Sequence, residues 1–404
     1  VTERQPQQPA GGLRTVYADL HIHIGRTEKG APVKITGSRD LTFYNIAKEA
    51  SERKGIELIG IIDCHSPAVQ DEIEAYLESG DMTLQQGGGI RYKNTTVILG
   101  SEIEVKDPGC NEAHVLVYMP TLDAMKQFTS WMSRHMANVG LSTQRIRVPA
   151  RVLQEEAVHR GGLFVPAHVF TPHKGIYGSV SERMEALLDL DGIAAVELGL
   201  SADTEMAGHI SELDRYTFVT NSDAHSLAKI GREYNELQLA APSFEELALA
   251  LARQHGRRVA ANYGLNPRLG KYHRSYCASC EEIVDESGTA AERCPYCGSL
   301  KLVRGVMDRI MHIADRTEPL VPGYRPPYRY QVPLEFIPGL GNRTLEKLLS
   351  RFGTEMSILH EASYEELAAA AGDKVARYIV LAREGQLETD VGGGGRYGRV
   401  RQLS

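Results

Sequence analysis

Between Val16 and about Ala240, short apolar runs alternate with amphipathic stretches, and this alternation constrains the fold more than any other feature of the chain. The runs VYADLHIHI, LIGIID, TVILGSEIEV, GGLFVPAHV, GIAAVELGL and YTFVTNSDAH are rich in β-branched residues and read as strands. LTFYNIAKEASERKG, TLDAMKQFTSWMSRHM and SVSERMEALLDL lie between them and carry helical spacing. Strand and helix alternating over so long a stretch predict a parallel-sheet α/β architecture, open or closed into a barrel. Ser243 and Glu246 form a capping box that opens a last helix, SFEELALALARQHG.

Composition sets the outer limits. With 404 residues, 42% hydrophobic and 24% charged, the chain is globular rather than disordered, and its length fits two or three domains. The net charge of −7 argues, as an average, against a nucleic-acid partner. The average hides an uneven distribution. Arg253, Arg257, Arg258, Arg268, Lys271 and Arg274 fall in a stretch with no acidic residue from Leu247 to Cys280. No apolar run is long enough to cross a membrane, and the polar start VTERQPQQPAGG is unlike a signal peptide. Four of the six cysteines form two CxxC pairs, which suits a metal site in a reducing, cytoplasmic setting.

Texture divides the chain into a flexible arm (1–14), the α/β barrel or open sheet (15–262) and a cysteine module (263–318). A Pro-rich linker (319–333), a helical segment (334–388) with a second capping box at Ser363 and Glu366, and a basic tail (389–404) follow.

The chemistry lies in where histidines and carboxylates fall. Asp19, His21 and His23 alternate along the first run, so a strand's period of two puts them on one face. Asp63 and His65 repeat that spacing, while Glu102, His168, Asp223 and His225 also end runs. His114 precedes its run and must approach from the opposite direction. Ligands of α/β folds bind beyond the carboxyl ends of the strands, so these side chains converge. His21, His23, His65, Glu102, His114, His168, Asp223 and His225 are more ligands than one ion needs, and two or three divalent ions (Zn2+, Mn2+ or Mg2+) fit them. Such a centre suits hydrolysis of phosphate esters, because the ions activate water and neutralise phosphate oxygens. Catalytic work falls to His21, His23, His65, Glu102, Asp223 and His225. Asp19 and Asp63 are placed to orient ligands by hydrogen bonds. Glu197 faces the same rim, for a pocket role or a structural salt bridge, and His173 lies in a loop that holds phosphate or is solvated charge. Cys64 and Cys110 read as small buried hydrophobes.

DLHIH, IDCH, GSE, the histidine of HVLVY, PAH and NSDAH match in order the motifs of the polymerase-and-histidinol-phosphatase (PHP) superfamily. The resemblance covers roughly residues 16–240 and implies a distorted (β/α)7 barrel around a trinuclear metal centre that hydrolyses phosphoesters. The family pattern often has a further histidine soon after HxH, where IGRTEKG has none.

Cys277, Cys280, Cys294 and Cys297 form two CxxC knuckles, the spacing of a structural zinc ribbon. In LEFIPGLGNRTLEKLL, a Gly-rich turn at Pro338–Gly341 joins two helical stretches. Gly339 and Gly341 let backbone amides face a phosphate, and Arg343 and Lys347 add charge. This is similar to the helix-hairpin-helix motif, with a weaker second copy around Gly372. Arg268 and Lys271 are further candidate DNA contacts.

Barrel, ribbon and hairpin in this order resemble the endonuclease Q family of DNA-repair nucleases over nearly the whole chain, including NYGLNPRLGKYH. That resemblance implies hydrolysis of the phosphodiester 5′ to deaminated bases (hypoxanthine, uracil, xanthine) or abasic sites, with damaged DNA as partner. The residues themselves reach only a metal-dependent phosphodiesterase with a nucleic-acid-binding appendage. A small-molecule phosphatase of the histidinol-phosphate kind and a non-catalytic DNA-binding scaffold are the alternatives.

Overall fold

The computed structural model describes residues 12–270, 273–284 and 293–387. Most of the expected arm, Lys271 and the basic tail lie outside these residues.

Strands β1 (Arg14–Ile22) and β2 (Leu58–Ile61) are parallel. Two short strands, β3 (Thr83–Leu84) and β4 (Ile90–Tyr92), fold antiparallel onto β5 (Thr95–Val105), which runs parallel to β2. The sheet continues antiparallel through β6 (Ala113–Met119) and β7 (Leu163–Pro166). The amide of Ala194 donates to Phe164 O and leads into β8 (Val196–Glu197), parallel to β9 (Phe218–Val219). Ala224 then bridges back to Ile22. β1, β2, β5, β6, β7, β8 and β9 therefore close the distorted seven-stranded barrel. The sheet is mixed rather than parallel throughout. β5 and β6 are joined by the short loop 106–112, which can connect only antiparallel neighbours. β10 (Tyr234–Leu239) and β11 (Arg258–Gly264) extend the sheet from the first half of β1.

Both faces of the barrel strands are buried, which explains the near-continuous apolar runs. Val16, Ala18, Leu20, Ile98, Leu116 and Val165 fill the interior, whereas Ile59, Ile61, Val97 and Leu99 meet the outer helices through Phe43, Ile46 and Phe128. Gly60 permits the close approach of β1 and β2, since a Cβ there would lie 2.3 Å from Leu20 O.

Expected helices form at Phe43–Glu49, Leu122–Met132 and Phe244–Leu251, capped by Thr42, Thr121 and Ser243. The box at Ser243 is only half made, because Glu246 turns to Ala240 N and Arg257. The box at Ser363 and Glu366 is complete. SVSERMEALLDL forms short turns instead of the expected α-helix. Glu212 captures Met184 N and Glu185 N, so tertiary partners displace the helical ladder.

The cysteine module is a three-stranded antiparallel ribbon of β12 (Ser275–Cys277), β13 (Ile283–Val284) and β14 (Leu302–Val303). Its following helix, Val306–Ile313, is pinned to the barrel by Arg309 Nε donating to Tyr177 O at 2.8 Å.

Two organisational expectations need correction. The Pro-rich stretch 319–333 is extended but is not a free linker. Its β15 (Tyr328–Tyr330) pairs parallel to β11, and Arg325 is buried over the Phe218 ring. The barrel sheet therefore does not end at residue 262. The basic stretch 253–276 is partly consumed by the fold: Arg257 is buried against Glu246, Arg274 faces Asp308, and Arg253, although exposed, stacks on Tyr324. Arg258 and Arg268 remain exposed.

A 3-10 turn (Leu334–Phe336) and helices Asn342–Phe352, Glu355–His360, Tyr364–Ala371 and Asp373–Arg383 complete the described chain. These helices dock on the barrel. Lys54 Nζ lies 3.0 Å from both Glu355 oxygens. His360 stacks on Tyr17 with centroids 4.6 Å apart, and its Nε2 is 2.7 Å from the Tyr234 hydroxyl. No described helix is long and apolar enough to cross a membrane.

Candidate metal centre

β1 presents His21 and His23 on one face, as the period of two requires, and both imidazoles are buried. Glu102 enters from the middle of β5 rather than its end, because that strand runs on to Val105 to pair with β6. His114 arrives from the start of the antiparallel β6, and His168 follows β7. Asp223 and His225 lie beyond β9, with Asp223 held at φ +45°.

Seven of the eight expected ligands converge. Their ligand atoms form three groups, each within 4.8 Å: His21, His23 and Glu102; His23, Asp223 and His225; and Glu102, His114 and His168. Glu102 belongs to two of them. Its Oε1 is 3.6 Å from His21 Nε2, 3.0 Å from His114 Nδ1 and 3.5 Å from His168 Nε2, while Oε2 is 3.5 Å from His23 Nε2. Asp223 Oδ1 stands 3.5 Å from both His21 Nε2 and His23 Nε2, and 3.3 Å from His225 Nε2.

Charge follows this crowding. Burial would raise the Glu102 carboxyl, but His114 and Lys34 hold it well below its ordinary range. Burial would lower the His21 imidazole, yet Glu197 and Asp223 raise it well above its usual value. His21 also tests the fit of a metal. Its buried Nε2 has no hydrogen-bond partner and faces Glu102 and Asp223, while Nδ1 is held 2.9 Å from Glu197 Oε1. A ring nitrogen so directed, facing carboxylate oxygens 3.6 and 3.5 Å away, is what ligands sharing one cation present.

His65 is the exception among the expected ligands. Its Nδ1 is 2.9 Å from Ser101 Oγ and its Nε2 is 3.2 Å from Leu141 O, so both nitrogens are occupied by protein and neither joins a ligand group. The expected orienting residues also divide. Asp63 Oδ2 meets His23 Nδ1 at 3.1 Å. Asp19 instead accepts from the amides of Ser222 and Gly231, at 3.0 and 2.9 Å, and so pins the loop that carries Asp223. Glu197 orients His21 and also accepts from Asn221 Nδ2 and His168 N, each at 2.8 Å. Cys64 is buried, its thiol donating to Ile61 O, and Cys110 is half-buried.

A cavity of about 540 Å³ opens over the cluster. His173 and Lys174 line it, as do residues that sequence reasoning missed, notably Lys34, Lys229 and Arg232. The loop 140–145 was missed as well. Ser142 Oγ is 3.2 Å from His23 Nδ1, and the Thr143 hydroxyl donates to Glu102. No motif marks these residues, because irregular loops deliver them.

The four cysteine sulfurs also lie within 4.8 Å of one another. Cys277 and Cys297 Sγ are 3.6 Å apart, as are those of Cys280 and Cys294, close to the edge of about 3.8 Å in a tetrahedral zinc–thiolate site. The Cys280 amide helps lower the Cys277 thiol to about 6, favouring the thiolate that a metal requires.

At the C-terminal turn Gly339 has φ +84°, a conformation that favours glycine. Gly341 caps the helix in ordinary extended geometry, and a Cβ there would meet nothing within 4 Å. Both glycines, Arg343 and Lys347 are exposed. Tyr364–Ala371 and Asp373–Arg383 meet at Gly372 in the expected second helix–turn–helix unit.

A barrel with this His/carboxylate cluster, followed by a four-cysteine ribbon, has the architecture and the ligand set that the resemblance to the PHP superfamily implies. The chain is 52% identical over 391 residues to the uncharacterized protein YqxK of Bacillus subtilis (strain 168), covering 96% of this chain and 100% of that one. The lesion-specific endonuclease PfuEndoQ of Pyrococcus furiosus superposes with TM-score 0.82 and 30% identity, over 96% of this chain and 95% of its own. Endonuclease Q in complex with a 27-mer duplex substrate with an abasic lesion at the active site gives the same score and identity, over 97% of both chains. No family model matches. The chain belongs to the endonuclease Q family.

Proposed function

We propose that this protein incises DNA at damaged nucleotides, hydrolysing the phosphodiester 5′ to hypoxanthine, uracil, xanthine or an abasic site. The observation that carries this reading is the cluster itself. Seven His, Glu and Asp ligands converge under an open cavity, on a chain that aligns almost end to end with a nuclease solved on a lesion-bearing duplex.

His21, His23, Glu102, His114, His168, Asp223 and His225 would hold two or three divalent ions, of zinc, manganese or magnesium, and the four cysteines a structural zinc. Bound there, the ions supply Lewis acidity, lowering the pKa of water and offsetting phosphate charge. The chain's own residues make that possible. Glu197 and Asp63 fix the imidazoles of His21 and His23, Glu102 bridges two ligand groups, and Asp19 secures the loop behind Asp223. The exposed turn around Gly339 and Gly341, with Arg343 and Lys347, grips the sugar–phosphate backbone without reading sequence. A damaged nucleotide must leave the stack to reach the cavity, and weakened pairing lowers that cost.

Incubation with Mn2+, Mg2+ or Zn2+ and end-labelled duplexes, intact or with one deoxyinosine, deoxyuridine or abasic site, tests the reading. Nicking of the lesion strand alone is expected, and Asp223→Ala or His225→Ala should abolish it while leaving duplex binding nearly unchanged. Undamaged duplex cut equally well, or cleavage surviving both substitutions, would refute it.

A further inference from the structure

The geometry points to Lys34 as a substrate contact: we propose that its ammonium group holds a non-bridging oxygen of the scissile phosphate at the metal centre. This rests on the reading of the cavity as the place where a phosphodiester is hydrolysed.

The segment after β1 folds back on itself. Lys34 N donates to Ile24 O at 2.9 Å, Val33 N donates to Gly25 O at 3.0 Å, and Gly37 N closes the turn on Lys34 O at 2.9 Å. The backbone of Lys34 is thereby fixed beside His23. Its side chain, only 16% exposed, runs to the cavity wall, where Nζ is 2.6 Å from Thr143 Oγ1 and 3.4 Å from Glu102 Oε2. Thr143 has a single hydroxyl proton and gives it to Glu102, so it accepts from Lys34. Thr143 does this at φ +53°, in the left-handed region where a β-branched residue is strained. That strain falls where one hydroxyl links the lysine to the carboxylate shared by two ligand groups.

The other cations lining the cavity are committed elsewhere. Lys174 ends on Glu104 and Glu112, Lys229 on Glu335, and Arg232 donates to the carbonyls of Ser222 and Asp223. None of those acceptors is a candidate ligand side chain. Lys34 differs, because its carboxylate partner among the described residues is Glu102, whose oxygens cations at the cluster would claim. The ammonium then keeps Thr143 and has donors left over, facing the cavity. A compact, fixed positive charge beside developing phosphate charge is a strong source of transition-state stabilisation. In the competing account Lys34 only neutralises Glu102, and its loss would act through metal retention.

The full-length protein, Lys34→Gln and Lys34→Arg are compared by metal analysis, by calorimetric titration of the metal-loaded protein with inorganic phosphate, and by single-turnover incision of a duplex with one abasic site. We expect Lys34→Gln to keep its metal, bind phosphate about 10-fold more weakly and incise on the order of 100-fold more slowly, with Lys34→Arg recovering part of both losses. Wild-type phosphate affinity and incision in Lys34→Gln would overturn the proposal, and so would activity that falls only in step with lost metal. If the wild-type protein leaves the lesion duplex intact while phosphate binding still depends on Lys34, the assigned substrate fails and the phosphate contact stands.

Discussion

Glu197 Oε1 lies 2.9 Å from Nδ1 of His21, and the opposite nitrogen of that ring faces Glu102 and Asp223 with no hydrogen-bond partner. The carboxylate holds Nδ1 and so fixes the ring plane, which leaves Nε2 to give its lone pair to a cation. Glu197→Ala should therefore weaken metal binding by about 10- to 100-fold while the barrel stays folded. Metal titration of apoprotein, with circular dichroism as the folding control, measures this.

Glu233 is buried beside Thr220 and accepts from Leu265 N at 2.9 Å. Burial pushes its carboxyl up from 4.5 to about 8. The folded chain then binds a proton that the unfolded chain has released across that interval. This contribution to stability is complete below about 4.5 and is lost as pH rises toward about 8. Thermal unfolding between pH 5 and 8 should show a declining component of a few kcal/mol that Glu233→Gln removes. An unchanged slope in the variant would refute the assignment.

Lys54 is nearly buried and joins Glu355 across the junction of barrel and C-terminal helices, with Nζ also 3.1 Å from Ala228 O. Lys54→Ala leaves the largely buried Glu355 charge with only Arg53 Nε, 3.7 Å away, and should cost about 2 kcal/mol in denaturant unfolding of the full chain. The double variant Lys54→Met with Glu355→Leu should recover much of that loss.

Among its described residues the ribbon buries only a few side chains, such as Val284. Cys294→Ser should release one equivalent of zinc and open the strands β12 and β14 to protease, leaving the barrel's cleavage pattern unchanged. Metal analysis and limited proteolysis read both effects. Full zinc retention by the variant would contradict a four-thiolate site.

The metal cluster was legible in the sequence for a simple reason. Strand periodicity alone puts His21 and His23 on one face, and the ends of β7 and β9 bring His168, Asp223 and His225 to the same rim. Glu102 reaches it from mid-strand, and His114 from the start of an antiparallel strand. His65 obeyed that pattern and still turned away, because Ser101 and Leu141 O satisfy its ring, a partnership between distant segments. Lys34, Ser142 and Thr143 carry no periodicity, so only the folded loops reveal them. Arg257 looked like part of a DNA-binding patch, but a glutamate eleven positions earlier, Glu246, takes its charge into the interior. SVSERMEALLDL had helical spacing, yet Glu212 claimed its amides. Local pattern predicts well where strands dictate direction, and poorly where a single long-range side chain decides.

β15 and the tyrosine cage around His360 change what the C-terminal helices can do. Had 319–333 been a loose tether, the hairpin would sweep a wide volume, and the grip on DNA would set only a local concentration near the metals. Stitched into the main sheet and keyed by His360 against Tyr17 and Tyr234, the hairpin stands at a set distance from the cavity. On the function proposed above, the protein is built like a calliper, whose two jaws, one to grip backbone and one to cut it, are cast in a single piece.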